Sequence, residues 1–252
     1  MHHEQLLLTR LDGIGRSLAA TGHALALIGL GSVGKELDRL DRYSDLDFFV
    51  IAQDGYKQWF LEDLTWLSNL HPIAYHFRNT ADGYKLFYAD GIFCEFAIFE
   101  RGELSHIPFA AGRVVWKMDN VDNDIASPAQ IQTKPESAPT EWLIGEALTN
   151  LYVGLGRYHR GEKLTAARFI QQYAVDRVLE LAAQVEPEQT AHKDHFAFER
   201  RYEQRFPRTA ELLPTFIQGY ERSRESADAI LGFLEQHFDI NVAMARAIRA
   251  LC

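Results

Sequence analysis

Apolar residues change their period along this chain, and the changes divide it. Over residues 5–20, Leu7, Leu8, Leu11, Ile14 and Leu18 recur at helical spacing and predict an opening helix. ALALIGL (24–30) is a short apolar run that ends at glycine, as a buried strand does. VGKELDRLDR (33–42) reads as a short helix or helical turn, DLDFFVIA (45–52) as a second strand, and YKQWFLEDLTWL (56–67) as an amphipathic helix. PIAYHFR (72–78) is expected as a third strand. In YKLFYADGIFCEFAIF (84–99), two apolar runs flank Asp90-Gly91, a favoured hairpin turn.

After about residue 120 the pattern changes. NDIASPAQIQTKPESAPT (123–140) carries three prolines among small polar residues and predicts a linker. Beyond it the periodicity is helical: EWLIGEALTNLYVGLGRYHR with Thr140 as N-cap, then LTAARFIQQYAVDRVLELAAQ, then three or four shorter helices. The expected fold class is α+β. A mixed sheet flanked by helices over 1–122 is followed by the linker 123–140 and a helical bundle over 141–252. The chain shows no internal repeat.

Composition narrows the function more than the fold. The 252 residues are 47% hydrophobic and 24% charged, ordinary values for a globular chain. A net charge of −9 argues against a general nucleic-acid binder, which needs basic surface to displace counterions. No apolar run reaches the roughly 18 residues of a membrane span. MHHEQLLLTRLDG lacks the basic and small-residue marks of a signal peptide, so a cytoplasmic protein is expected. Cys94 and Cys252 make neither a disulfide framework nor a metal cluster. They are read as a core thiol and a chain end.

Gly29, Gly31 and Gly34 spell G-x-G-x-x-G after an apolar run, which raises a dinucleotide-binding turn. Two features reject it. The acid of such a fold stands at the carboxyl end of the second strand, whereas Asp45 and Asp47 precede FFVIA. The segment between the strands is also too short for a crossover helix. In a strand, residues i and i+2 share a face about 6.5 Å apart, so Asp45 and Asp47 project side by side. Adjacent carboxylates repel unless a proton or cation sits between them. A hard divalent cation such as Mg²⁺ favours one or two carboxylates plus substrate phosphates. Gly31-Ser32 offers backbone N–H groups to a phosphate. Glu95 adds a third acid inside an apolar strand, where an unpaired charge costs several kcal/mol. Its register puts Phe93, Glu95, Ala97 and Phe99 on one face, and an adjacent Asp-Leu-Asp strand would make three carboxylates converge.

An apolar strand, Gly31-Ser32, twelve residues and then Asp45-Leu46-Asp47 resembles the signature of the DNA polymerase β superfamily nucleotidyltransferases. Within it the chain looks most like the two-domain lincosamide and aminoglycoside antibiotic nucleotidyltransferases. The likeness runs through D-R-Y-S-D-L-D-F, the G-x-x-x-E-F strand and Arg160-Gly161-Glu162. It implies transfer of an NMP group from an NTP to a hydroxyl of a small acceptor, with Mg²⁺ or Mn²⁺ held by Asp45 and Asp47. Glu95 is implied as general base, metal ligand or both. Ser32 and Ser44, with Gly31, are implied at the triphosphate, and Lys163 and Arg168 at its far end. The acceptor pocket is expected to draw on the helical half, and a homodimer is left open.

Other features draw plainer expectations. His71, His76 and His106 are not at metal-ligand spacing. Tyr152, Tyr158 and Tyr173 are expected in helix packing, and FERRYEQR (198–205) as a solvated helix face. Two rivals to antibiotic nucleotidylation stay open: a transferase acting on a protein or metabolite, and a non-catalytic nucleotide-binding or antitoxin-like module.

Overall fold

The computed structural model describes residues 2–129, 138–191 and 197–252. The chain divides into two compact units, Met1–Gln132 and Thr133–Cys252. Among the described residues no helix is long and apolar enough to cross a membrane.

The first unit opens with helix α1 (His3–Thr21), which buries Leu7, Leu11, Ile14 and Leu18 at the spacing the sequence predicts. Six strands follow: β1 (Ala24–Gly29), β2 (Leu46–Ala52), β3 (Ile73–Arg78), β4 (Gly83–Tyr88), β5 (Phe93–Glu100) and β6 (Arg113–Lys117). They form one sheet of order β3-β4-β5-β2-β1-β6. β2 and β5 are parallel and every other neighbouring pair is antiparallel. The antiparallel β1–β2 pair excludes the dinucleotide-binding βαβ unit, whose strands are parallel. One face of the sheet packs Leu46, Phe48 and Val50 of β2 with Cys94, Phe96 and Ile98 of β5 beneath α1. Burial there pushes the Cys94 thiol far above its usual range.

Three local expectations change. YKQWFLEDLTWL is two short helices, α2 (Lys57–Glu62) and α3 (Thr65–Ser68). The Asp63 carboxylate accepts hydrogen bonds from the Thr65 N–H and hydroxyl at 2.8 and 2.9 Å, which starts a new turn instead of continuing the old one. VGKELDRLDR contracts to two single 3₁₀ turns, Gly31–Val33 and Leu37–Arg39. β6 was not anticipated from the sequence. Of the expected linker, residues 130–137 lie outside the described residues. Asn123–Ala126 form a 3₁₀ turn that buries Ile125 and Ala126 beside Ile28, Ile51 and Phe99.

The second unit is helical. Its long member, α4 (Thr140–His159), begins one residue earlier than a Thr140 cap implies. Thr140 is the first helical residue, and its hydroxyl oxygen accepts from Gln184 at 2.8 Å. α5 (Lys163–Arg168) runs through a π-helical turn, Phe169–Ala174, into α6 (Val175–Leu181). Gly154 of α4 lets the π turn approach, since a Cβ there would stand 2.6 Å from Ile170 Cγ1. Three single-turn helices follow, α7 (Tyr202–Arg205), α8 (Pro207–Ala210) and α9 (Leu213–Phe216), then α10 (Ser223–His237) and α11 (Val242–Arg249).

Two expectations in this unit are overturned. FERRYEQR is not a solvated face, because Tyr202 and Arg205 are buried. Arg205 donates to Glu188 at 2.7 Å and to the Phe198 carbonyl at 2.8 Å while stacking over Phe198, so its charge is paired and its stem packed. Tyr152 and Tyr173 are exposed, whereas the core-facing stripe of α4 is Leu143, Ala147, Leu151 and Leu155.

Candidate active site

Strand alternation decides which residues can meet. On the sheet face opposite α1, β2 presents Asp47, Phe49 and Ile51, and β5 presents Phe93, Glu95, Ala97 and Phe99. Parallel register makes Asp47 and Glu95 direct partners, so their Cβ atoms stand about 5 Å apart across the strands. Antiparallel register places Lys85 directly opposite Glu95 on its other side, with Phe77 next in line on β3. The row therefore reads Asp47, Glu95, Lys85, Phe77. Asp45 is exposed and lies immediately ahead of β2.

Glu95 is not the buried, costly acid that its apolar strand predicts. Its side chain is 44% exposed, and Lys85 Nζ stands 3.2 Å from Oε2. Asn79 Nδ2 donates to Oε1 at 3.3 Å, while Asn79 Oδ1 is buried with no partner among the described residues. Solvent and two polar neighbours, Lys85 and Asn79, solve the desolvation problem.

The Gly-Ser turn reaches the row through the backbone. The Leu30 N–H donates to the Asp47 carbonyl at 2.8 Å, so Gly31-Ser32 leaves the sheet beside the first acid of β2. The three glycines have local reasons that need no dinucleotide. A Cβ on Gly29 would stand 2.5 Å from the Val33 carbonyl oxygen, and one on Gly34 would stand 2.7 Å from the Gly29 carbonyl oxygen. Gly31 holds φ +49°, a left-handed conformation that favours glycine. Ser32 is 7% exposed, and its hydroxyl has no protein partner among the described residues. Arg113 of β6 donates to the Val33 carbonyl from Nε and Nη2 at 3.3 and 3.0 Å, which clamps the turn from the far edge of the sheet.

Ser44 has a structural role. Its hydroxyl accepts from the Asp41 N–H at 3.0 Å and donates to Asp41 Oδ1 at 3.1 Å. The Tyr43 N–H donates to the same carboxyl at 2.8 Å. That N–H, ahead of the Ser44 contacts, holds the Asp41 carboxyl below its ordinary value despite slight desolvation. The turn aims the chain into Asp45 and leaves the Tyr43 ring 78% exposed.

Lys163 and Arg168 lie on α5 of the second unit. Lys163 Nζ is bound to Glu221 at 2.5 Å, which raises its pKa, and Arg168 is exposed.

A divalent cation is implied by the acids, and the donor set fits one arriving with phosphate. Asp47 and Glu95 are hard oxygen donors side by side, with Asp45 two residues away. Among the described residues no three His, Cys, Asp or Glu groups gather closely enough to hold an ion by themselves. Mg²⁺ is content with one or two carboxylates when substrate phosphates complete its shell.

Lys85, Asn79 and Arg113 were missed by sequence reasoning. Lys85 was missed because the hairpin loop is three residues, Ala89-Asp90-Gly91, and this register, unlike that of a two-residue Asp-Gly turn, pairs it with Glu95. Asn79 and Arg113 carry no local signal, because their partners are distant in sequence.

No family model and no curated protein matches the sequence. Among solved structures, the chain is similar to an aminoglycoside 6-adenyltransferase from Bacillus subtilis, with 14% identity and a TM-score of 0.35 over 100% of this chain and 92% of that one. It is similar to a Thermotoga maritima CCA-adding enzyme complexed with tRNA, with 12% identity and a TM-score of 0.35 over 99% of this chain and 72% of that one. A Bradyrhizobium diazoefficiens CD-NTase in complex with GTP aligns with 14% identity and a TM-score of 0.24, covering 97% of each chain.

Proposed function

We propose that the chain is a divalent-metal-dependent nucleotidyltransferase that moves an NMP group from an NTP to a hydroxyl of a small acceptor. The observation that carries this is the register pairing of Asp47 with Glu95, beside the glycine turn that carries Ser32. Asp45 and Asp47 would hold the cation, with Glu95 within reach of it. When bound with the nucleotide, the metal supplies charge neutralisation for an in-line displacement at phosphorus.

The chain's own groups do the rest. Gly31 and Ser32 bind the triphosphate, and Arg113 keeps their turn in shape. Glu95 takes the proton of the acceptor hydroxyl as that oxygen bonds to the α-phosphorus and the bond to the β-phosphate oxygen breaks. Pyrophosphate leaves with the displaced electron pair. Asn79 orients the Glu95 carboxylate through its hydrogen bond, and Lys85 balances the charge of that carboxylate in the free protein. The acceptor class is a lincosamide, an aminoglycoside or a related hydroxylated amine, which the acidic net charge of −9 suits if cationic.

The test is a mass-shift screen of the purified protein with each NTP, Mg²⁺ and a panel of aminoglycosides, lincosamides and common metabolites. An acceptor gaining the mass of one NMP, with pyrophosphate released, is the expected result. NTP binding with no transfer to any acceptor would favour a nucleotide-binding module instead.

A further inference from the structure

We propose that Arg39 is a triphosphate-binding residue, held by Glu36 until a nucleotide displaces that carboxylate. This rests on the nucleotidyl transfer argued above and assigns part of its substrate site.

A triphosphate brought to Asp45, Asp47 and Glu95 meets three like charges, so cationic side chains must stand nearby as well as the metal. Two basic groups of the sheet already have functions beside the acids and the turn. Lys85 pairs with Glu95, and Arg113 gives Nε and Nη2 to the Val33 carbonyl. Arg39 differs. Its Nη2 lies 3.5 Å from the point where a Cβ on Gly31 would stand, so the guanidinium flanks the turn that carries the unpaired Ser32 hydroxyl. The glycine accommodates φ +49° beside the guanidinium.

The hold on Arg39 is exchangeable. Nε and Nη2 both point at a single oxygen, Glu36 Oε2, at 2.7 and 2.6 Å. The two side chains are three residues apart and each 28% exposed, an arrangement whose net contribution is small. A phosphate offers the same fork two oxygens and a larger charge. The carboxylate thus keeps the guanidinium beside the turn in the free protein and gives way when the triphosphate arrives.

Calorimetry with Mg²⁺ and ATP, inorganic tripolyphosphate or AMP tests this on the full chain. Arg39→Ala and Arg39→Gln should weaken ATP and tripolyphosphate binding about 10- to 100-fold, the size of one charge-assisted bidentate contact, and change AMP affinity less than about twofold. Arg39→Lys should recover part of the loss, which also guards against misfolding in the larger change. Glu36→Gln should tighten ATP about two- to fivefold, because the competing charge is gone. Arg39→Ala binding ATP as well as wild type, with an unchanged melting temperature, would overturn the assignment. Glu36→Gln weakening ATP as much as Arg39→Ala would make the pair structural and overturn the exchange. A wild-type protein that binds no Mg·NTP at all defeats nucleotidyl transfer itself, a different result from a variant that matches a binding-competent wild type.

Discussion

One face of one sheet has two ends with opposite fates. Towards the carboxyl ends of β2 and β5, the side chains are Phe49, Ile51, Ala97 and Phe99, covered by Leu104, Phe109, Val121 and Ile125. Phe49 meets Phe99 and Phe109 edge-on at 5.0 and 5.6 Å. Two residues earlier on the same face stand Asp47 and Glu95, with Lys85 alongside. Strand alternation treats both ends alike, and the covering segment does not. Its return across β1 is tight: a Cβ on Gly112 would stand 2.4 Å from Ile28 Cγ2. Stability is therefore concentrated at the covered end, and the charged groups stand where water and a ligand can reach them.

That division sets an order of expected effects. Glu95→Gln keeps shape and removes the proton acceptor, so transfer should fall ~10²- to 10⁴-fold while Mg·ATP affinity changes only a few-fold. Rate assays beside calorimetry separate this from a metal-ligand role, in which affinity would fall with the rate. At the covered end, Ile51→Ala should cost about 2–5 kcal/mol of unfolding free energy and leave Mg·ATP affinity of the folded protein unchanged. Urea denaturation measures the first part, and a comparable loss of affinity would show that the two ends are not separable.

Lys85→Met removes the cation beside Glu95. Both groups are more than a third exposed, so the pair contributes ~1 kcal/mol or less, and Mn²⁺ affinity without nucleotide should rise by about fivefold or less. Weaker Mn²⁺ binding would mean that Lys85 organises the acids and does not compete with the metal. The smallest effect concerns acid. Because the Asp41 carboxyl sits below 3.8 in the folded protein, its contribution to the turn before Asp45 is complete above that value. It is lost only as pH falls through the lower folded value. The Tyr43 amide signal should hold its position from pH 7 down to about 4 and move below it, and movement near pH 6 would point to another group.

Much of this was legible from periodicity. Alternation in DLDFFVIA and GIFCEFAIF, with the Asp90-Gly91 turn, is enough to put the Asp47 and Glu95 side chains on single strand faces. It could not show what covers them, so Glu95 looked buried and is half exposed. Arg113-Val114-Val115-Trp116-Lys117 was passed over because its partner β1 lies some eighty residues earlier and no hairpin turn announces the pairing. YKQWFLEDLTWL has an unbroken helical stripe, and only the side-chain chemistry of Asp63 divides it. FERRYEQR shows the same failure from the other side, since a run of charges hides Arg205, whose partners come from elsewhere in the fold. Arg39 was invisible for a similar reason: its proximity to Gly31 depends on two tight turns where a short helix was expected.

The central claim is that Asp45 and Asp47 hold a divalent cation together with an NTP. Calorimetry of ATP binding with and without Mg²⁺, on wild type, Asp45→Asn and Asp47→Asn, tests it directly. The metal should bind weakly alone and strengthen ATP binding markedly in wild type, since triphosphate oxygens complete its shell. Either asparagine variant should keep the wild-type melting temperature and lose that synergy. Equal metal-dependent ATP binding in all three proteins would contradict the account.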